Sequence, residues 1–140
     1  MQKASILNRF VAKFIDLLVA FAFSLILYPV GFFAGMTYLL IADGFFDGRS
    51  LGKKLIRLQT LSQAGILCSY RESILRNLTM GLAYLLFFIP YIGKLLFATI
   101  LIVEGLLIIG NERGHRIGDE LAGTQVIDGS WESQILNAGR

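Results

Sequence analysis

Several things are scarce in this chain of 140 residues. It holds one cysteine, Cys68, so no disulfide forms within the chain and a cysteine-built metal cluster is excluded. It holds one histidine, His115, far in sequence from Cys68 and without a motif around it, so no nucleophile–base constellation is in view. Charged residues are 16% of the chain against about 25% in an average soluble domain. There are two prolines, and each sits in the middle of an apolar tract. No phosphate-binding loop is present: Gly52-Lys53-Lys54 lacks the Ser or Thr that follows the lysine of a P-loop. The reading is therefore not that of an enzyme, and no cofactor or metal is expected.

What is abundant is apolar length, with 55% hydrophobic residues. Two tracts, 17–42 and 78–103, contain one basic residue between them, Lys94; the other twelve Lys and Arg lie outside. Tracts of this length are membrane spans, because in hydrocarbon only a helix satisfies its own backbone. Had each tract crossed once, the central loop with Arg49, Lys53, Lys54, Arg57, Arg71 and Arg76 would face outward, against the positive-inside bias. Two hairpins put every basic region on the cytoplasmic side. The turns fall at Tyr28-Pro29-Val30-Gly31 and Pro90-Tyr91-Ile92-Gly93, where proline ends a helix and glycine permits reversal. A kinked single span is the alternative for each tract, and the loop charges weigh against it.

The expected fold class is thus an all-α membrane protein: four short transmembrane helices as two hairpins, with a small cytosolic β element. The helices are placed near 10–28, 30–46, 73–89 and 94–109, with a cytosolic loop at 47–72, one domain over 1–128 and a tail at 129–140. The expected location is an inner (plasma) membrane, multi-pass, with both termini in the cytoplasm. The partners are the lipid bilayer and, for so small a bundle, further copies or another membrane protein. The net charge of +3 suits loops at an anionic leaflet, not nucleic acid.

Within the loop, Ser50 is a helix cap. Leu51, Leu55 and Leu58 recur at helical spacing between Lys53, Lys54 and Arg57, which predicts a short amphipathic helix lying on the inner leaflet. Alternation from Ile56 to Leu61 then predicts a strand, Ser62-Gln63-Ala64-Gly65 a turn, Ile66-Leu67-Cys68 a return strand, and Thr124-Gln125-Val126-Ile127 a third.

Carboxylates at membrane depth are the candidate functional groups, since a charge in hydrocarbon must be paired, protonated or hydrated. Asp16 shares a helix face with Arg9 and Lys13, so a structural ion pair and an ion site are both open for it. Asp43 lies near the end of the second helix. Glu104 lies deep in the fourth with no basic residue within one turn. Asp16, Asp43 and Glu104 form the candidate ion or proton site. Arg116 and Asp119, three apart, share a face of a short helical turn.

Three blocks together resemble the RDD family of bacterial membrane proteins. Arg9-Phe10-Val11-Ala12-Lys13-Phe14-Ile15-Asp16 is similar to the family's opening block. Gly48-Arg49-Ser50-Leu51-Gly52-Lys53 with the later Arg76-Asn77 is similar to its central one. Arg116-Ile117-Gly118-Asp119-Glu120-Leu121-Ala122-Gly123-Thr124 is similar to its closing block, with Gly118 where the family often has His. The resemblance implies Arg9, Asp16 and Asp119 as the family signature. With Arg116 they are expected as one polar cluster at the inner membrane edge. For function it implies a small cation or proton transporter acting as an oligomer; the alternative is a non-catalytic assembly or regulatory subunit of a membrane complex.

Overall fold

The computed structural model describes residues 4–26, 28–111 and 115–129. Six helices and a two-stranded sheet make up the fold: α1 (Ile6–Ile26), α2 (Val30–Ile41), α3 (Leu51–Leu55), β1 (Leu58–Ser62), α4 (Tyr70–Phe87), α5 (Ile92–Gly110), α6 (Ile117–Leu121) and β2 (Thr124–Asp128). A 3₁₀ turn, Ala42–Gly44, closes α2.

The breaks fall at the two proline turns, so α1 with α2 and α4 with α5 are helical hairpins. Their ends differ from those expected by a few residues. The second helix stops at Ile41, not near 46, because the chain tightens into the 3₁₀ turn that carries Asp43. The third starts at Tyr70, not Ser73. There Ser69 and Glu72 form a capping box: the Glu72 carboxylate accepts from the Ser69 amide at 2.8 Å, and the Ser69 hydroxyl accepts from the Glu72 amide at 3.4 Å. The expected tail lies outside the described residues except Gly129, whose amide donates to the Arg57 carbonyl at 2.7 Å.

α1 packs on α2, α2 on α4 and α4 on α5, while α3 lies against α1 and α6 against α4. One apolar cluster sits inside the bundle around Leu17, Ala20, Leu39 and Tyr84. A second lies under the sheet, around Ala4, Ala12, Leu58 and Val126. β1 and β2 pair antiparallel with Thr60 opposite Val126, which returns the C-terminal segment to the central loop. The expected strand at Ile66-Leu67-Cys68 does not form. It amounts to one bridge, Leu67 to Leu61, because the chain leaves at once for the cap of α4.

Among the described residues one helix, α5, is both long and apolar enough to cross a membrane, with a mean hydropathy of 2.3. α1 is longer but carries Arg9, Lys13 and Asp16; α4 carries Arg71, Glu72 and Arg76. Of these, Arg9, Lys13 and Arg76 join one polar network at one end of the bundle.

Candidate functional site

The short helix α3 departs from the expected amphipathic arrangement at one residue, Lys53. Leu55 is 71% exposed and Leu51 also faces outward, whereas Lys53 is only 6% exposed. Burying an ammonium requires a partner, and Lys53 has two. Its Nζ donates to Asp43 Oδ1 at 2.6 Å and to Thr60 Oγ1 at 2.8 Å. Burial and the neighbouring Arg76 push the Lys53 ammonium down to about 7, against the pull of Asp43. Lys54, one residue on, stays outside with its ammonium over the Phe46 ring at 4.1 Å.

Arg76, on the buried face of α4, joins two carboxylates from distant parts of the chain. Its Nε lies 3.1 Å from Asp43 Oδ2 and its Nη2 lies 2.7 Å from Asp119 Oδ1. Asp119, on α6, also meets Arg9 of α1 at 2.5 Å and the Nε of Arg116 at 3.3 Å. Three guanidiniums thus surround one fully buried carboxylate. Burial alone would raise its pKa, but Arg76, Arg116 and Arg9 hold it well below the usual carboxylate range. Asn77, next to Arg76, fills the gaps between charges. Its Oδ1 accepts from Lys13 Nζ at 2.9 Å and Arg116 Nη2 at 3.0 Å, and its Nδ2 donates to Asp43 Oδ2 at 3.1 Å.

The geometry depends on close backbone approach at two glycines. At Gly118 a Cβ would overlap the Arg76 carbonyl, so α6 can lie on α4 only without a side chain there. At Gly52 a Cβ would overlap the Ala12 carbonyl, and the bare approach lets the Gly52 amide donate to Asp16.

Asp16 does not make the expected ion pair with Arg9 and Lys13. Among the described residues its donors are neutral: the Ser50 hydroxyl at 2.6 Å, the Tyr38 hydroxyl at 2.8 Å and the Gly52 amide at 2.9 Å. Its place on α1 turns it toward α3, while Arg9 goes to Asp119 and Lys13 to Asn77. Asp16 is therefore joined to the ionic cluster only through Ser50 and α3. Of the residues singled out from sequence, Arg9, Arg116 and Asp119 come into direct contact; Asp43 joins them through Arg76.

Glu104 differs from the three aspartates. It is 2% exposed, yet neither carboxylate oxygen has a hydrogen-bond partner. Its near neighbour is Arg116, whose Nε stands 3.8 Å away, an ion-pair distance without a hydrogen bond. No residue within a turn of Glu104 announced this pairing; the loop before α6 supplies it. Glu104 lines a cavity of about 140 Å³ between α1, α4 and α5, with Arg9, Lys13, Lys53, Arg76 and Arg116 at its polar end and Phe10, Phe14, Leu17, Met80, Leu101 and Ile108 on its walls.

Arg76, Asn77, Lys53, Ser50 and Tyr38 were not picked as site residues from sequence. Arg76 and Asn77 did leave a signal: two strongly polar residues between Leu75 and Leu78 in a helix otherwise fit for hydrocarbon. Cys68 is buried, and burial pushes its thiol up to about 11, which leaves it without thiolate character. Among the described residues no group of His, Cys, Asp and Glu could hold a metal ion.

Comparison with curated proteins and with solved structures returns no match. The sequence model of one family matches residues 27–123, from the first hairpin turn to Gly123 just beyond α6. The match begins just after α1, so Arg9 and Asp16 lie before it, while Arg76 and Asp119, the partners that tie the two ends together, lie inside. On that span, more than half of its length, the chain belongs to the RDD family.

Proposed function

We propose that this membrane protein of the RDD family crosses an inner membrane four times, with both termini in the cytoplasm. On this reading it moves a proton or small cation as an oligomer, and Glu104 is the exchanging group. The topology is supported by the basic residues outside the tracts and by the turns at both prolines. Reporter fusions at Arg49, Lys94 and Arg140 test it: Arg49 and Arg140 should report the cytoplasm and Lys94 the outside, and an outward Arg49 would contradict the hairpins.

One observation carries the transport reading. Glu104 is buried on the one described helix long and apolar enough to cross a membrane, its oxygens are unpaired by hydrogen bonds, and it faces a cavity. A carboxylate that exchanges its occupant needs partial desolvation and a free lone pair. Asp16, Asp43 and Asp119 have their oxygens occupied by protein donors, which suits structure better than exchange. Flux into vesicles of the pure protein under an imposed pH or sodium gradient is the test. Wild type should conduct, Glu104→Gln should not, and equal flux in both would overturn the role of Glu104.

The reading as an assembly or regulatory subunit draws on a different observation. α5 packs chiefly on α4, and only 22% of its most apolar stretch is buried within the chain. A helix left so open can face lipid or a partner helix. Copurification of a stable complex with an unrelated membrane protein, together with no flux from this protein alone, would favour that reading.

A further inference from the structure

We propose that the cleft between α1 and α5 binds the phosphate of an anionic phospholipid, with the Lys13 ammonium as its main partner. The inference rests on the membrane placement argued above and not on transport.

Three features of the cleft point to this ligand. The first is charge. Among the described residues, five cations (Arg9, Lys13, Lys53, Arg76 and Arg116) line the cleft, and the carboxylates that answer them are Asp43, Glu104 and Asp119. Asp16 spends its lone pairs on neutral donors. The cation least provided for is Lys13. Among the described residues no carboxylate lies within ion-pair distance of its ammonium, and its acceptor there, Asn77 Oδ1, is shared with Arg116. An ammonium has three donors to place, and in a desolvated site an uncompensated cation is costly. A phosphate oxygen supplies what the protein does not.

The second feature is shape. α1 and α5 are not packed closely along their length; they touch where Phe21 meets Phe97 at 6.2 Å and again where the Phe10 ring lies over Gly105. The gap left beside that contact is the cavity of about 140 Å³. On this measure one water needs about 10–15 Å³, so a headgroup phosphate has room.

The third feature is the wall. Phe14, Leu101 and Ile108 flank the polar end with apolar surface. A free phosphate gains nothing from that surface, whereas an esterified one carries an acyl chain to lay along it. Basic pockets between membrane helices on the cytoplasmic side suit such headgroups. Glu104 faces the same cavity from α5 and repels an anion on its own side, where Arg116 answers it at 3.8 Å. The phosphate therefore belongs on the α1 side, at Lys13.

The test uses the full chain in neutral detergent, with native mass spectrometry reading retained lipid. Phosphatidylglycerol should be retained by wild type and by Lys54→Gln, a change at an exposed lysine. Lys13→Gln should weaken retention about fivefold, the worth of one basic residue at an anionic headgroup. A second measurement needs no variant: phosphatidylglycerol should shield Lys13, but not Lys54, from an amine-reactive reagent. Equal retention of phosphatidylcholine would overturn the proposal, as would equal shielding of Lys13 by inorganic phosphate, which would make this a free-anion site. Unchanged binding in Lys13→Gln, or Lys13 labelled alike with either lipid, would overturn it too.

Discussion

Near the helix turns the bundle is closed by rings: Phe32 stacks on Tyr84 at 5.4 Å, and Phe21 meets Tyr84 at 5.2 Å and the Phe87 edge at 4.7 Å. At the opposite end the same helices are joined by Arg9, Asp43, Arg76, Asn77, Arg116 and Asp119, with almost no apolar contact among them. Water would favour the aromatic end, because it rewards apolar burial. Lipid does not, since a tail replaces a ring contact at little cost. It cannot replace a carboxylate held by three guanidiniums. In a membrane, then, the polar end fixes which segments meet, and the aromatic end fills space. The polar end also gathers residues from α1, the 3₁₀ turn, α4 and α6, the most distant parts of the chain.

Asp119→Ala should separate the two ends most sharply. It leaves Arg9, Arg76 and Arg116 without their shared carboxylate, and the loss should be about 3–5 kcal/mol in denaturant unfolding in micelles. A loss below about 1 kcal/mol is the value for a hydrated pair and would erase the contrast between the two ends. Acid should reproduce part of the same loss. The folded pKa of Asp119 lies below the ordinary aspartate value of 3.8, so its contribution is complete above that value. It fades as pH falls further, because the unfolded chain then binds the extra proton. Unfolding midpoints measured from pH 6 to pH 3 should be level at first and then drop, and the drop should be smaller in Asp119→Ala.

Ser50→Ala should cost less, about 1–3 kcal/mol, by leaving one oxygen of the buried Asp16 short of a donor. At the aromatic end, Tyr84→Phe removes the hydroxyl that donates to the Ala20 carbonyl at 3.1 Å but keeps the ring. It should cost about 1 kcal/mol. Were Tyr84→Phe the more damaging of the two, the aromatic end would be the organising one.

The hairpins, their turns and the pairing of β1 with the C-terminal strand were legible because proline, glycine and alternation act locally. The helix cap at Ser50 was legible for the same reason. In α3 one lysine was misplaced: leucines at helical spacing suggested an amphipathic helix on the leaflet, but Asp43 and Thr60 draw Lys53 inside. Those partners are ten and seven residues away, and nothing local marks them. Likewise spacing on one helix left Asp16 open to an ion pair with Arg9 and Lys13 or to an ion site, while the folded chain sends both cations elsewhere. Spacing reports which side chains can meet; the competition among cations and carboxylates is settled only when the segments assemble. Arg76 shows the converse. It stood in the sequence as a charge inside an apolar helix, and its two carboxylates came from the turn after α2 and from α6.

The most direct measurement is a double-mutant cycle on the unfolding free energy of Arg76→Met and Asp119→Leu. If the polar end organises the bundle, each single change strands a buried charge and costs about 3–5 kcal/mol. The double change removes the charge with its partner, so it should cost well under the sum, with a coupling of about 1.5–3 kcal/mol. Additive losses, with coupling below about 0.5 kcal/mol, would mean that the two residues stand apart in the folded protein and would contradict the network.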